Sequence, residues 1–264
     1  MTGSAVAGVG VHSGHRVCVR LHRADGPIRF RTAAGTVAAH VDHVVGTHHC
    51  TVLGVDAVRV ATVEHLLAAL RVAGFWSGVV VEVDADELPI LDGSAAPWRS
   101  VVAELGAPPA APEPLRPSAP WRWTEGEATV TVEPGPERLE VAVAFPHPAI
   151  GVQRWEGAPD RYPDVLPART FAFAEDLERL RAEGLLLGAD TGSGILFGHD
   201  GPHVPLRFEN EPVRHKALDA LGDFALIGRS IAGTVRVHRG SHRIHVTAMR
   251  RLLATTPSPT SDSA

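Results

Sequence analysis

The stretch EPVRHKALDALGDFALIG, residues 211–228, governs how the rest of the chain is read. It is a strong helix pattern, with Leu218, Leu221 and Ala225 recurring at a spacing that suits a core face. His215 and Asp219 stand four apart, one helical turn from each other on one side. Asp223 continues the same stripe, where Ala or Leu would be expected on a face that only packs. A histidine and a carboxylate at this spacing can supply two ligands to a borderline metal such as zinc. A solvated face with scattered charge would look the same, so this helix needs partners elsewhere in the chain.

The other strong helix pattern, TVEHLLAALRVAG (62–74), is closed by Gly74. Glu64 and His65 sit near its start, pointing about 100° apart, so both can border one site. His65 can be a third ligand, with Glu64 holding an attacking water as base. Order and spacing differ from the H-E-x-x-H metalloprotease signature. A His/His/Asp set with an open position is the usual form of a catalytic zinc site. His242 follows Gly240-Ser241 at a strand-to-helix junction, where a histidine can reach a cleft and donate a proton. His238 and His245 compete for that role. His43, His48 and His49 cluster without clear ligand spacing, and Cys50 suits either a pocket wall or the core.

Around these motifs the chain reads as α+β. Short strands at 17–22 and 27–32 flank Asp25-Gly26, a hairpin-type turn. Further strands precede the 62–74 helix. GVVVEVDA (78–85) is an apolar strand, and ELPILDGSAAPWRSVVAELG (87–106) a loop leading into a helix. APPAAPEPLRPSAP (107–120) has no packing pattern and marks a boundary. Alternating strands follow, then a helix near 174–183, a glycine-rich turn and strand, the 211–228 helix, a strand and a terminal helix. The expected division is an N-terminal domain over 1–110, a linker at 111–120, a C-terminal domain over 121–254 and a disordered tail at 255–264. The halves share a coarse order of elements, so a pseudo-duplication with a cleft between them is expected.

The chain has 264 residues, 44% apolar, with a formal charge of −5 and 5% aromatics. That supplies a sizeable core but no cationic or stacking surface for nucleic acid. No apolar run reaches the ~20 residues of a membrane span. MTGSAVAGVGVHSGH lacks the basic start of a secretory signal, and two cysteines suit reduced thiols, so a cytoplasmic protein is expected. Histidine occurs 15 times, whereas lysine occurs once, at Lys216. Neither G-x-G-x-x-G nor a Walker loop is present, and GADTGSG reads as a structural turn.

The motifs GVGVHSGH, TVEHLLAAL, ELPILDGSAAPW, FPHPAI, ARTFAF and EPVRHKALDALGDFALIG, in that order over residues 8–253, resemble the UDP-3-O-acyl-N-acetylglucosamine deacetylase family. That family comprises metal-dependent amidases of lipid A synthesis. The resemblance implies His65, His215 and Asp219 as zinc ligands, with ferrous iron also suited to them. It implies Glu64 as general base, His242 as general acid, Asp223 as the carboxylate orienting that histidine, and Thr170 as an oxyanion-supporting hydroxyl. Lys216 matches a lysine reaching the substrate phosphate, Phe171 an aromatic beside the hexose, and Arg239 a basic position near the diphosphate. Phe145, Cys50 and His12 fall at further substrate-binding positions. The implied fold is two α+β domains with helices between outer sheets and the active site at their junction. The implied partner is a nucleotide sugar, met by a monomer.

Four stretches depart from the family's usual pattern. Arg31–His48 is short, and 147–169, where an insert usually walls the acyl passage, is compact and rich in Pro, Gly and charge. ADTGSGILF lacks Ser/Asn character, and Arg243 and His245 replace a small and an amide residue. These departures predict a curtailed acyl passage and keep open a substrate without the acyl chain.

Overall fold

The computed structural model describes residues 5–255; the expected tail lies outside them except for Thr255, which ends the last helix. The first half contains β1 (Ala5–Val9), β2 (Arg16–Pro27), β3 (Arg29–Thr32), β4 (Gly35–Ala38), β5 (Val44–Gly46), β6 (Val52–Val55) and β7 (Val58–Val60). These are followed by α1 (Glu64–Val72), β8 (Ser77–Val83) and α2 (Trp98–Ala103). The second half contains β9 (Trp121–Glu125), β10 (Ala128–Pro134), β11 (Arg138–Ala144), β12 (Val152–Gly157), β13 (Phe171–Phe173) and α3 (Leu177–Ala182). It is completed by β14 (Ile195–Gly198), β15 (Gly201–Pro202), α4 (Glu211–Ala225), β16 (Gly233–His238) and α5 (His242–Thr255).

The two large sheets have the same plan. Their orders are β1-β2-β8-β3-β4 and β9-β10-β16-β11-β12. In each, the last strand enters the middle, antiparallel to the second strand and parallel to the third. The halves are thus two similar layered α+β units. β8 shows why composition selects the centre: five of its seven residues are buried, as a strand covered on both faces requires.

That insertion corrects the expected Asp25-Gly26 hairpin. β2 runs on through those residues to Pro27, with an irregularity between Arg23 and Pro27, and β8 separates it from β3. The local turn signal yields to long-range pairing by a more apolar strand. β6 and β7 pair as an antiparallel hairpin, with Asp56 at φ 48 in its turn.

α1 is buried continuously from Glu64 to Leu70, and α4 from Ala217 to Phe224, so neither helix has a wet side over those turns. Such helices must be covered all round, and here they cross one another between the layers. Gly222 makes that approach possible, because a Cβ there would lie 2.1 Å from the Glu64 carbonyl oxygen. Arg71 of α1 reinforces it, donating to the Leu221 carbonyl at 3.2 Å and to Glu137 at 3.0 Å. Arg250 of α5 donates to the carbonyls of Val41 and Val44 at 3.1 and 2.6 Å. Within the Pro/Ala stretch, Leu115 is buried and bridges to Ile231, so the segment is anchored rather than free. No helix among the described residues is long and apolar enough to cross a membrane.

Candidate active site

Because α1 and α4 cross at Gly222, the first turn of α1 faces the middle of α4. His65 Nε2 lies 3.9 Å and His215 Nε2 3.3 Å from the same oxygen, Asp219 Oδ1, and all three side chains are buried. Burial lowers the proton affinity of both imidazoles, that of His65 to about 3, so both are neutral with lone pairs free. His215 Nδ1 lies 3.1 Å from the Ala168 carbonyl; donation there fixes the tautomer and leaves Nε2 turned inward. Burial opposes the Asp219 charge, but His215 and Lys216 prevail and hold it well below the usual carboxylate range. Lys216 donates to Asp219 Oδ2 at 2.6 Å.

Nitrogens 3.3 and 3.9 Å from the carboxylate oxygen are too far for strong hydrogen bonds, and the three atoms, all within 4.8 Å of one another, leave room for an ion about 2 Å from each. The donor set fits a divalent metal. Asp223, His242 and His245 also converge, but differently: both Nδ1 atoms approach the single oxygen Asp223 Oδ2 at 2.8 Å. That is hydrogen-bond distance and leaves no space for an ion. Asp223 Oδ1 accepts from Thr51 Oγ1 at 2.5 Å.

Glu64 and His242 flank the ligand set from opposite halves, His242 Nε2 lying 4.0 Å from Glu64 Oε1. The backbone N–H of Thr51 holds Glu64 Oε2 at 3.0 Å. Burial raises the Glu64 carboxyl to about 7, against the attraction of His242. For His242, burial disfavours charge, yet Asp223 and Glu64 outweigh it and lift the imidazole to about 9. Burial would likewise raise Asp223, but His242 and the hydrogen bonds from both histidines hold it at about 2. The site therefore contains a carboxylate poised near neutrality beside a charged imidazole, the usual makings of a base and an acid.

Two further buried carboxylates fix the loops around the site. Glu87 accepts the N–H groups of His12 and Ser13 at 2.9 and 2.8 Å and the Thr62 hydroxyl at 3.1 Å. Thr62 lies at φ 59, a left-handed conformation costly for a β-branched residue, two positions before Glu64. Glu211, at the start of α4, accepts the Arg169 N–H at 3.0 Å, its guanidinium at 2.9 and 3.1 Å, and the Arg207 N–H at 2.6 Å. This pins the segment that carries Thr170 and Phe171.

A cavity of about 830 Å³ opens over the site. Glu64, His65, His215, Lys216, Asp219, His242, Thr170, Phe171, Phe145, Cys50 and His12 all line it, so the structure brings together most of the residues singled out in the sequence. Asp223 stands behind His242, outside the lining. Phe145 and Phe171 meet edge to face at 5.4 Å. Burial pushes the Cys50 thiol up to about 12, so it is a wall rather than a nucleophile. Arg239 does not join the set: its guanidinium is engaged by Glu127 and the Ala144 carbonyl, and Arg243 and Arg181 line the cavity instead. His48 and His49 line the cavity, whereas His43 does not. One wall is apolar, built from Phe171, Phe173, Leu177, Leu180, Leu186 and Ile195. These residues come from β13, α3, β14 and the loop between the last two, whereas the compact 147–169 segment contributes none of the cavity lining.

Sequence reasoning missed Thr51, Glu87 and the Arg169–Glu211 pair. Each is an ordinary residue locally and gains its role from a partner far along the chain: Thr51 from Asp223, 172 positions away, Glu87 from His12, 75 positions away, and Arg169 from Glu211, 42 positions away.

The family model for UDP-3-O-acyl N-acetylglycosamine deacetylase, LpxC, matches residues 2–254. Among curated proteins, the chain is 38% identical to a UDP-3-O-acyl-N-acetylglucosamine deacetylase of Thermosynechococcus vestitus, covering 93% of this chain and 90% of that one. It is 37% identical to the protein of the same name from Brucella ovis, covering 94% and 92%. With the corresponding protein of Syntrophotalea carbinolica identity is 34%, covering 94% and 85%.

Proposed function

The chain belongs to the UDP-3-O-acyl N-acetylglycosamine deacetylase family, and we propose that it removes the N-acetyl group of a UDP-linked, 3-O-acylated N-acetylglucosamine, releasing acetate. The observation that carries this reading is the placement of Glu64 and His242, 4.0 Å apart and drawn from opposite halves of the chain, in one cavity with the His65/His215/Asp219 set and a group of apolar residues. The apolar wall favours an acylated substrate over a bare nucleotide sugar. We assign zinc to the ligand set, with ferrous iron the alternative, since borderline metals share these donors. We further propose a monomer in the cytoplasm, a setting in keeping with its two free cysteines, Cys18 and Cys50.

When bound by His65, His215 and Asp219, the metal supplies Lewis acidity, polarising an amide carbonyl and acidifying water. Glu64, with Oε2 tied to the Thr51 N–H, has Oε1 toward His242 and takes the proton of the water that attacks the acetamide carbon. The Thr170 hydroxyl and the charge on His242 stabilise the oxygen that becomes negative. As the C–N bond breaks, His242 gives its Nε2 proton to the departing amine, and Asp223 keeps the imidazole oriented through Nδ1. Water adds across the amide bond, and acetate and a free amine result. Lys216, Arg243 and Arg181 give the cavity cationic groups for a diphosphate, and Phe145 and Phe171 give a face for the sugar.

The test is acetate release by metal-replete enzyme on UDP-3-O-acyl-N-acetylglucosamine and on UDP-N-acetylglucosamine, with Glu64→Gln as control. Preference for the acylated substrate, and loss of about 10²-fold or more in kcat at full metal content in the variant, are expected. Turnover of the unacylated sugar alone would reassign the substrate. An unimpaired Glu64→Gln enzyme would remove the base.

A further inference from the structure

Asp223 receives three donors, of which the mechanism above uses one. Oδ1 accepts the Thr51 hydroxyl at 2.5 Å, and Oδ2 accepts from both His242 and His245 at 2.8 Å. His245 is fully buried and takes no part in the cavity lining. Among the described residues its Nε2 has no hydrogen-bond partner, and it is packed against Gly240, where a Cβ would lie only 2.5 Å from that nitrogen. A proton on Nε2 would be stranded, so the neutral ring carries its proton on Nδ1 and donates it to Asp223. The ring is also braced edge-on by Phe224 at 5.2 Å. His245 thus touches both the carboxylate that orients His242 and the Gly240 turn from which His242 emerges.

Thr51 completes the clamp from the other half of the molecule. It is fully buried, its hydroxyl donates to Asp223, and its backbone N–H donates to Glu64. One residue therefore ties the base of the N-terminal half to the acid's carboxylate in the C-terminal half. A carboxylate held by His242 alone could rotate about its terminal torsion, which is broad for Asp. With both oxygens occupied by fixed donors it cannot.

We propose that Thr51 and His245 are positioning residues for the proton-donating histidine, holding Asp223 in the one orientation that aims His242 across the site at Glu64. This rests on the assignment of His242 as proton donor. Four variants of the metal-loaded enzyme test it. Thr51→Val and His245→Leu keep bulk but remove the donor, whereas Thr51→Ser and His245→Asn restore one. The first two are expected to lose about tenfold or more in kcat with KM little changed, as misplacement of a reacting group does. The second two are expected to recover most of the rate.

A second readout is the downfield Nδ1 proton resonance of His242 in histidine-labelled protein. It is expected to shift or broaden in the Val and Leu variants and return in Ser and Asn. Equal impairment of all four, or full activity and an unmoved resonance in Val and Leu, would overturn the proposal and leave two packing residues. His242→Gln separates the two levels. Full activity of that variant would remove the proton-donor assignment, while the resonance in the other variants still reports whether the clamp holds the ring.

Discussion

Glu64 Oε1 and His242 Nε2 face one another across 4.0 Å, each carried by a different half of the molecule. One group must be ionised and the other protonated for the reaction proposed, so their titrations should frame the pH dependence. Glu64 lies near 7 because it is buried, and activity should rise as pH climbs through that value. His242 lies near 9, its burial outweighed by Asp223 and Glu64, and activity should fall as pH passes it. A bound cation favours the carboxylate and disfavours the imidazolium, so both midpoints belong at or below these values. A bell-shaped profile of kcat/KM is expected, and His242→Gln should lose the alkaline limb. An alkaline limb unchanged in that variant would assign it to another group.

Stability should respond to the same histidine. Its proton affinity is raised on folding, so its contribution is complete below about 6.5, the unfolded value, and fades as pH rises through about 9. The difference in Tm between metal-free wild type and metal-free His242→Gln is expected to shrink over that interval. A constant difference from pH 6 to 10 would mean that packing, not charge, is what the ring contributes.

Gly222→Ala should separate α1 from α4. The added carbon would meet the Glu64 carbonyl oxygen and carbon at 2.1 and 2.7 Å, and these are backbone atoms that no rotamer change can move. The expected cost is about 1–3 kcal/mol or more, with a Tm lower by at least several degrees. Metal affinity should fall as well, since the ligands straddle this crossing. Unfolding curves and metal titration of the one variant measure both.

Leu177→Ser probes the apolar wall. The side chain is only half-buried, so folding should tolerate the change. Losing most of a leucine contact with an acyl chain, worth about 1.5–3 kcal/mol when fully buried, is expected to cut kcat/KM for an acylated substrate roughly 10-fold or more. An unacylated analogue should be unaffected. Equal loss on both would place the acyl chain elsewhere.

Removal of the metal should loosen the two halves. His65 lies in one and His215 and Asp219 in the other, so an ion held by all three acts on the folded chain only. At a free concentration one hundred times Kd this is worth about 2.7 kcal/mol. Treatment with a chelator is expected to lower Tm by about 5–10 °C, and added zinc should restore it.

The parts of the site legible in the sequence were those set by local geometry. His215 and Asp219 share a helix face because a turn is 3.6 residues, and His242 follows a glycine-serine turn into a helix. What crosses between elements was not legible. Thr51 sits in a loop, and nothing within ten residues foretells that its hydroxyl meets Asp223, 172 positions on. His245 could be read as a competitor of His242 but not as its companion, because the difference is which way one ring turns. In the fold, Asp25-Gly26 carried a turn signal that the insertion of β8 overrode, since strand order is decided by distant burial. Arg239 matched a basic position, yet its neighbour Glu127 captures it.

In both sheets the strand that chain order makes last is the one that space makes central. Until residue 238 has been synthesised, β10 and β11 have no strand to join them, and the C-terminal sheet is two unconnected pairs. His242 is added only four residues later. A ribosome that stops early, or a transcript cut short before this point, yields a chain with base and metal ligands in sequence but no second sheet to hold α4 against α1. The architecture thereby ties activity to the making of β16: base and metal ligands precede it in the chain, but the sheet that holds α4 against α1 closes only when it is added.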